Sequence, residues 1–367
     1  MKKQNWLKQN WLVILCGLLV GTAAVVLTKL GNPGNMGFCI ACFLRDIAGA
    51  LGLQGATGKN EAGEVVRSLS NFRPEIVGII VGACILALIT KEFKPKGGSS
   101  PFTRFILGIF VMFGALVFLG CPLRMAIRIG GGDMNAIMGL IGFVVGILVG
   151  ILVLKGGFSL GRAYKQSKVE GLAFPVIMVG LFVLSLVGGD VLFTSGTTPG
   201  NKFAPWAIAL VIAIVVGALA QKSRLCFVGG VRDAVMFKEF GLLAGFGGVI
   251  VAVMLGNIIV GNSLTFKFDG QPIAHTEWLW NMLGMTLVGW GCVLLGGCPL
   301  RQLVLAGEGN TDSAVTVMGM LVGGGLAHTL SIASTGAGTN TNGPAAVIIG
   351  LVVVLAVSLT NMKKGKA

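Results

Sequence analysis

The stretch FLGCPLRMAIRIGGGD runs from Phe118 to Asp133, and LGGCPLRQLVLAGEGN runs from Leu295 to Asn310. The pentapeptide Gly-Cys-Pro-Leu-Arg therefore occurs twice in one chain. Read as a helix start, it is self-consistent. Proline is favoured at the first helical position, where its missing N–H costs nothing. That puts Cys121 and Cys298 at the N-cap, Pro122 and Pro299 at the first helical position, and Arg124 and Arg301 in the first turn. Gly120 and Gly297 supply the turn from the preceding segment. A helix N-terminus offers unpaired N–H donors and about half a positive charge, a ready anion site. Thiolate character is favoured there too. The combination of positive dipole, guanidinium and soft sulfur suits an anion with a soft chalcogen atom, such as thiosulfate or a selenium anion.

The rest of the chain is strongly apolar. Of 367 residues 54% are hydrophobic and 11% charged, against about 25% charged in a soluble domain. Glycine reaches 59 residues, as expected where small residues let membrane helices approach closely. The composition predicts an all-α polytopic membrane protein. A span needs about 20 apolar residues, and ten candidates emerge: 11–30, 74–91, 104–120, 134–154, 171–188, 203–221, 240–261, 279–297, 313–330 and 344–361. Four stretches between them, 37–51, 122–130, 225–237 and 299–306, are too short to cross. They carry the charges, and read as re-entrant or broken helices lining a cavity. The basic N-terminus and its apolar run resemble a signal peptide but read better as a first uncleaved span.

Net charge is +14, yet the Lys and Arg lie in short loops without interleaved aromatics, so nucleic acid is not the expected partner. With alternating spans most of them fall on one side. The positive-inside tendency then puts both termini in the cytoplasm, with the lipid bilayer as surroundings. The eight cysteines lie in or beside apolar segments, the wrong place for a secreted disulfide framework.

A second motif pair reinforces the repeat. GFCIACFLRDIAGA (37–50) aligns with SRLCFVGGVRDAVM (223–236), so that Cys39 meets Cys226, Arg45 meets Arg232 and Asp46 meets Asp233. Both motifs recur in the same order. The expected organisation is a first repeat over 1–190 and a second over 191–367, each with five spans and two short helices. Five is odd, so the two repeats must be inverted in the membrane, with the site where they meet. The short segments of the first would enter from outside, those of the second from inside. The Arg45–Asp46 and Arg232–Asp233 pairs read as fold-holding ion pairs at the far ends of short helices. Cys16, Cys84 and Cys292 read as small buried hydrophobes. Cys42 completes a C-x-x-C with Cys39, but its repeat partner is Gly229. His275 and His328 lack a second ligand at metal spacing, so neither a metal nor a cofactor is expected, and the loops 189–202 and 331–343 suggest no chemistry.

At RLCFVGGVRDA and the paired LGCPLR and LGGCPLR…EGN segments, the chain resembles the YeeE/YedE family of sulfur-transport membrane proteins, over almost its whole length. Its length and doubled motif are most similar to the YedE-type subgroup described as selenium transporters. The resemblance implies import of a sulfur- or selenium-containing inorganic species along a path of cysteines on short helices, here Cys39, Cys121, Cys226 and Cys298. It also implies a bacterial cytoplasmic (inner) membrane location and a small sulfurtransferase-like cytoplasmic partner. No G-x-x-x-x-G-K-[ST] motif is present, so nucleotide hydrolysis is not the expected drive. Asp46, Asp133, Asp233 and Asp312 are the aspartates nearest the motifs. An enzyme is not expected. The competing readings are a membrane thiol-disulfide oxidoreductase using Cys39 and Cys42, and a copper(I) channel. The arginines beside the cysteines argue against the latter.

Overall fold

A computed structural model describes residues 6–362 apart from 56–57, 60–64, 67–69, 189–190, 195–201 and 262–263. The lysines at the extreme termini and most of the 189–202 loop, including the expected repeat boundary, lie outside the described residues.

The chain is helical almost throughout. In order come α1 (Trp6–Lys29), α2 (Ile40–Ala50), α3 (Pro74–Ile89), α4 (Pro101–Val117), α5 (Pro122–Gly130), α6 (Asn135–Lys155) and α7 (Lys168–Val187). Then follow α8 (Trp206–Ser223), α9 (Phe227–Phe237), α10 (Gly241–Ile259), α11 (Trp278–Leu295), α12 (Pro299–Gly307), α13 (Thr311–Thr329) and α14 (Gly343–Thr360). Two short ladders, β1 (Gly58–Lys59) with β2 (Val65–Val66) and β3 (Lys96–Gly97) with β4 (Tyr164–Lys165), tie loops together. Ten long helices and four short ones thus occur among the described residues, at the places expected from the sequence. By length and composition eight segments are apolar enough to cross a membrane. The exceptions are α3, which has only 16 residues, and α13, whose apolar stretch is interrupted by Asp312, Ser313, Thr316 and His328.

The helices pair reciprocally. The most extensive contacts are α1 with α10, α3 with α8, α4 with α13, and α6 with α11. Each pair joins a helix from the first seven to one from the last seven. Glycine permits this closeness. A Cβ on Gly82 of α3 would lie 2.0 Å from the Ile214 carbonyl oxygen of α8, and one on Gly142 of α6 would lie 1.9 Å from the Met282 carbonyl oxygen of α11. Backbones at that distance leave no room for a methyl group. The last helix of each set departs from the reciprocity: α7 packs on α3, α12 and α13, whereas α14 packs on α4 and α11.

The bundle has two ends. At the basic end the loop holding Lys91, Lys94 and Lys96 meets Tyr164–Lys165, Asn310, Gln221 and Arg224. At the opposite end Asn32 binds the Ala204 N–H, Asp133 pairs with Lys267 along the backbone, and the Thr339 hydroxyl donates to Glu277. The loop at 331–343, which suggested no chemistry, is a structural cap here: Asn340 and Asn342 donate to the carbonyls of Ala333 and Leu330. The short helices α2 and α5 sit toward this opposite end, α9 and α12 toward the basic end.

Candidate functional site

Each short helix begins at a cysteine. Cys39, Cys121, Cys226 and Cys298 are the N-caps of α2, α5, α9 and α12. In α2 and α9 the cap sulfur replaces the usual hydroxyl: the Cys42 N–H donates to Cys39 Sγ at 3.3 Å, and the Gly229 N–H donates to Cys226 Sγ at 3.3 Å. In α5 and α12 the proline stands at the first helical position and the cap sulfur makes no such bond. Those two sulfurs are left to face the caps of the other short helices.

They do so in pairs. Cys226 Sγ and Cys298 Sγ are 3.9 Å apart. Cys39 and Cys121 likewise interact through their thiols, and the backbone N–H groups of Ile40, Ala41 and Arg124 bear on the Cys121 sulfur. Two helix N-termini therefore converge on each sulfur pair, α2 with α5 and α9 with α12. All four thiols are buried and unbridged.

A third sulfur completes each group. Cys42, one turn into α2, lies 3.5 Å from Arg124 Nη1. Cys292, near the end of α11, is fully buried and near enough to Cys226 and Cys298 for charge to be felt between them, without a hydrogen bond to either among the described residues. The sequence reading set Cys292 aside as a buried hydrophobe. It lies six residues before Cys298, across the left-handed turn at Gly296, and no local pattern marks it. The third sulfurs are complementary: Gly229 stands at the register of Cys42, and Ala115 at that of Cys292. Cys84, on α3, belongs to neither group, and Cys16 interacts with Ser223 instead.

The glycine of the pentapeptide has a steric reason. A Cβ on Gly120 would lie 2.9 Å from Arg124 Cδ, and one on Gly297 would lie 3.0 Å from Arg301 Cγ. Both arginine stems fold back over the glycine at the helix start, carrying the guanidinium toward the sulfur rather than along the helix.

The two arginines then differ. Arg124 is fully buried. Its Nε donates to the Asn35 carbonyl at 2.9 Å, its Nη2 to the Ile273 carbonyl at 3.0 Å, and its Nη1 to the Leu119 carbonyl as well as to Cys42. Among the described residues no carboxylate lies within ion-pair range of Arg124. Arg301, by contrast, donates to Glu308 Oε1 at 3.0 Å. Arg128, one turn beyond Arg124, is an additional buried cation that the sequence reading did not single out. It pairs with Asp133 at 2.6 Å and lies 4.3 Å from the Phe118 ring centroid. The signal was present as two arginines four apart on a nine-residue helix.

The Arg-Asp motifs also diverge. Asp46 is fully buried, held by Arg45 at 2.7 Å and by Arg73 at 2.7 Å, and Arg73 stacks over Phe43. Arg232 and Asp233 pair at 2.8 Å, but with side chains 32% and 21% exposed and no third member among the described residues. Both are ion pairs, the first part of a buried triad and the second a partly exposed contact. His275 is buried and bonds the Val117 carbonyl through Nε2 at 2.8 Å. His328 is partly buried and makes no hydrogen bond through Nε2 among the described residues.

Two cavities approach the sulfur groups from opposite ends. One, of about 350 Å³, opens at the opposite end between Asn35, Ile127, Gly131, Asn257 and Gln271. Its wall includes the residue whose carbonyl holds Arg124. The other, of about 240 Å³, opens at the basic end between Glu92, Lys94, Lys96, Arg224, Glu308 and Asn310. Its wall includes the partner of Arg301. The sulfur pairs lie in neither cavity.

Comparison with known proteins gives a concordant picture. Residues 222–362 match the family model described as sulphur transport. That region contains α9 and α12 with Cys226, Cys298, Arg301 and Glu308. The chain is also similar to the thiosulfate transporter TsuA of Escherichia coli (strain K12), 27% identical over 118 residues. That match covers 31% of this chain and 31% of the relative's length.

Proposed function

We propose that this protein is a transmembrane importer of a sulfur- or selenium-containing inorganic anion, of the thiosulfate type. The anion passes along the buried thiols Cys39, Cys121, Cys226 and Cys298, with Arg124 and Arg301 as its cationic contacts. The chain is organised as two inverted repeats in a bacterial inner membrane with both termini cytoplasmic. Of the two ends, the basic one faces the cytoplasm. The reading rests on the apolar helices, on the sulphur-transport family match and on the similarity to a thiosulfate transporter.

The single observation that carries it is Arg124. A guanidinium with no solvent exposure and, among the described residues, no carboxylate partner, set among three thiols at two converging helix N-termini, is a charge waiting for an anion. Soft sulfur around it favours an anion that presents sulfur or selenium over one that presents only oxygen. The reciprocal packing of α1–α6 on α8–α13 supports an inverted arrangement. A small sulfurtransferase-like protein would fit at the cytoplasmic mouth as acceptor.

Uptake of labelled thiosulfate, selenite and copper(I) into vesicles with and without the protein tests the proposal. The expected result is protein-dependent uptake of thiosulfate or of a selenium anion, inhibited by the other. Copper uptake instead, or a mixed disulfide trapped at Cys39 in a Cys42→Ser variant without any anion uptake, would replace the proposal with the channel or oxidoreductase reading.

A further inference from the structure

The two pentapeptide segments continue in register past the arginine. Cys121–Asp133 and Cys298–Asn310 align residue for residue, so that Arg128 meets Leu305, Gly131 meets Glu308 and Asp133 meets Asn310. The charges therefore balance differently. In the first segment Asp133 is taken up by Arg128 and by the Asn135 backbone and side-chain amides, which leaves Arg124 uncompensated. In the second, Arg301 has Glu308 and no other cation competes within the segment. Gly131 lines the cavity at one end of the bundle, and Glu308 lines the cavity at the other.

Glu308 is also placed between two arginines. Its Oε1 is 3.0 Å from Arg301 Nη1, and its Oε2 is 3.8 Å from Arg224 Nη1. Arg301 and Glu308 are largely shielded, whereas the Arg224 side chain is 53% exposed. Arg224 is itself anchored to Glu92 at 3.0 Å, across the mouth of the basic-end cavity. Arg301 stands in the first turn of α12 with its stem folded back over Gly297, so the guanidinium that Glu308 occupies belongs to the helix start capped by Cys298, whose sulfur is 3.9 Å from that of Cys226.

We infer that Glu308 is a built-in counter-anion at the exit of the path: the permeant anion takes its place on Arg301 while the carboxylate shifts to Arg224. This rests on the transport reading above and adds to it a direction. At Arg124 the anion meets a cation held by carbonyls and a thiol but balanced by no carboxylate among the described residues, and binds. At Arg301 it competes with a tethered carboxylate, which returns and expels it toward the basic-end cavity. Glu308 is thus a release residue, and Arg224 the position that receives its charge during release. The ligand class is an inorganic anion small enough to replace one carboxylate, with sulfur or selenium directed at the thiols.

The test is uptake of labelled thiosulfate by proteoliposomes holding the full chain, with Glu308→Gln, Glu308→Asp and Arg224→Gln beside wild type. Without the competing carboxylate the anion stays on Arg301. Glu308→Gln is expected to lower KM and Vmax together, each roughly tenfold, and Glu308→Asp to restore both in part. Without the receiving arginine the carboxylate is harder to displace. Arg224→Gln is expected to raise KM several-fold, the opposite sign. A structural role for Glu308 would lower Vmax and thermal stability without lowering KM. Because Glu308→Gln leaves a shielded guanidinium unpaired, Arg224→Gln, on an exposed side chain, carries the test if that variant does not fold. An unchanged KM in Arg224→Gln, or an unchanged or raised KM in Glu308→Gln, overturns the inference while leaving anion transport standing. A wild-type protein inert toward thiosulfate and selenite overturns the transport reading and this inference with it.

Discussion

Arg124 Nη1 donates to Cys42 Sγ at 3.5 Å across 82 residues of sequence, and no carboxylate takes part. Three backbone carbonyls complete its coordination and fix the planar fork. Lysine keeps the charge but offers a single mobile ammonium that cannot reach these carbonyls and the thiol together. Arg124→Lys is expected to raise the KM for thiosulfate about tenfold, about 1.4 kcal/mol of binding, with membrane insertion unaffected. Initial-rate uptake over a range of thiosulfate concentrations measures it.

The sulfur pairs make a sharper demand. Serine has the shape of cysteine but not its polarisable atom, and the 3.9 Å separation of Cys226 and Cys298 suits two sulfurs better than two hydroxyls. Cys121→Ser and Cys298→Ser are each expected to abolish uptake while the protein still elutes as a folded, detergent-solubilised species. Wild-type rates in both would remove the thiols from the path.

A methyl group at Gly120 or Gly297 must displace the arginine stem folded over it. Overpacking of this kind costs about 1–3 kcal/mol. Gly120→Ala is expected to reduce uptake more than Gly297→Ala. It moves the uncompensated guanidinium, whereas Arg301 retains Glu308 as a guide. Melting temperature and uptake measured on both variants separate the packing cost from the functional one.

The two Arg-Asp motifs offer a controlled comparison. Asp46→Asn removes the carboxylate that bridges Arg45 and Arg73, all three buried, and is expected to destabilise the fold by about 3–5 kcal/mol. Asp233→Asn alters a half-exposed pair and is expected to cost about 1 kcal/mol or less. Thermal denaturation in detergent, with equal losses in the two variants, would contradict this account.

At the basic end the Gln221 amide, aided by Arg224 and Lys222, holds the Glu92 carboxyl below its ordinary value. A carboxylate depressed in the folded state stabilises the fold above its unfolded pKa of about 4.3. That contribution is lost as pH falls through the folded value. The melting temperature should therefore drop below about pH 4, and Glu92→Gln should flatten that part of the curve.

Much of this architecture was legible in the residues. Pro122 and Pro299 announced the starts of α5 and α12, and hydropathy marked the long helices apart from small shifts at their ends. The cysteine N-caps of α2 and α9 were less visible, since Cys39 and Cys226 lack a following proline. What sequence could not supply was adjacency across elements. Arg73 reaches Asp46 from a loop 27 positions away, and Cys39 meets Cys121 from a different helix. Glu308 stood in plain view in the second motif, but its meaning depended on knowing that Arg124 has no equivalent. Likewise, identical Arg-Asp pairs gave no hint that loops would cover one and leave the other half open.

Leu119 holds a left-handed backbone, φ 62°, at the register where Gly296 holds φ 82°. A leucine pays roughly 1 kcal/mol for that conformation and stays in it because its carbonyl is gripped by the Arg124 guanidinium. Glycine adopts it freely and can leave it as freely. The elbow before α5 is strained and held by Arg124, whereas the elbow before α12 is unstrained and held by the Gln302 amide, which donates to the Leu295 and Gly297 carbonyls at 3.1 and 3.3 Å. The two matched elbows therefore differ in stored backbone strain, carried by Leu119 and absent at Gly296, and not in whether a side chain holds them.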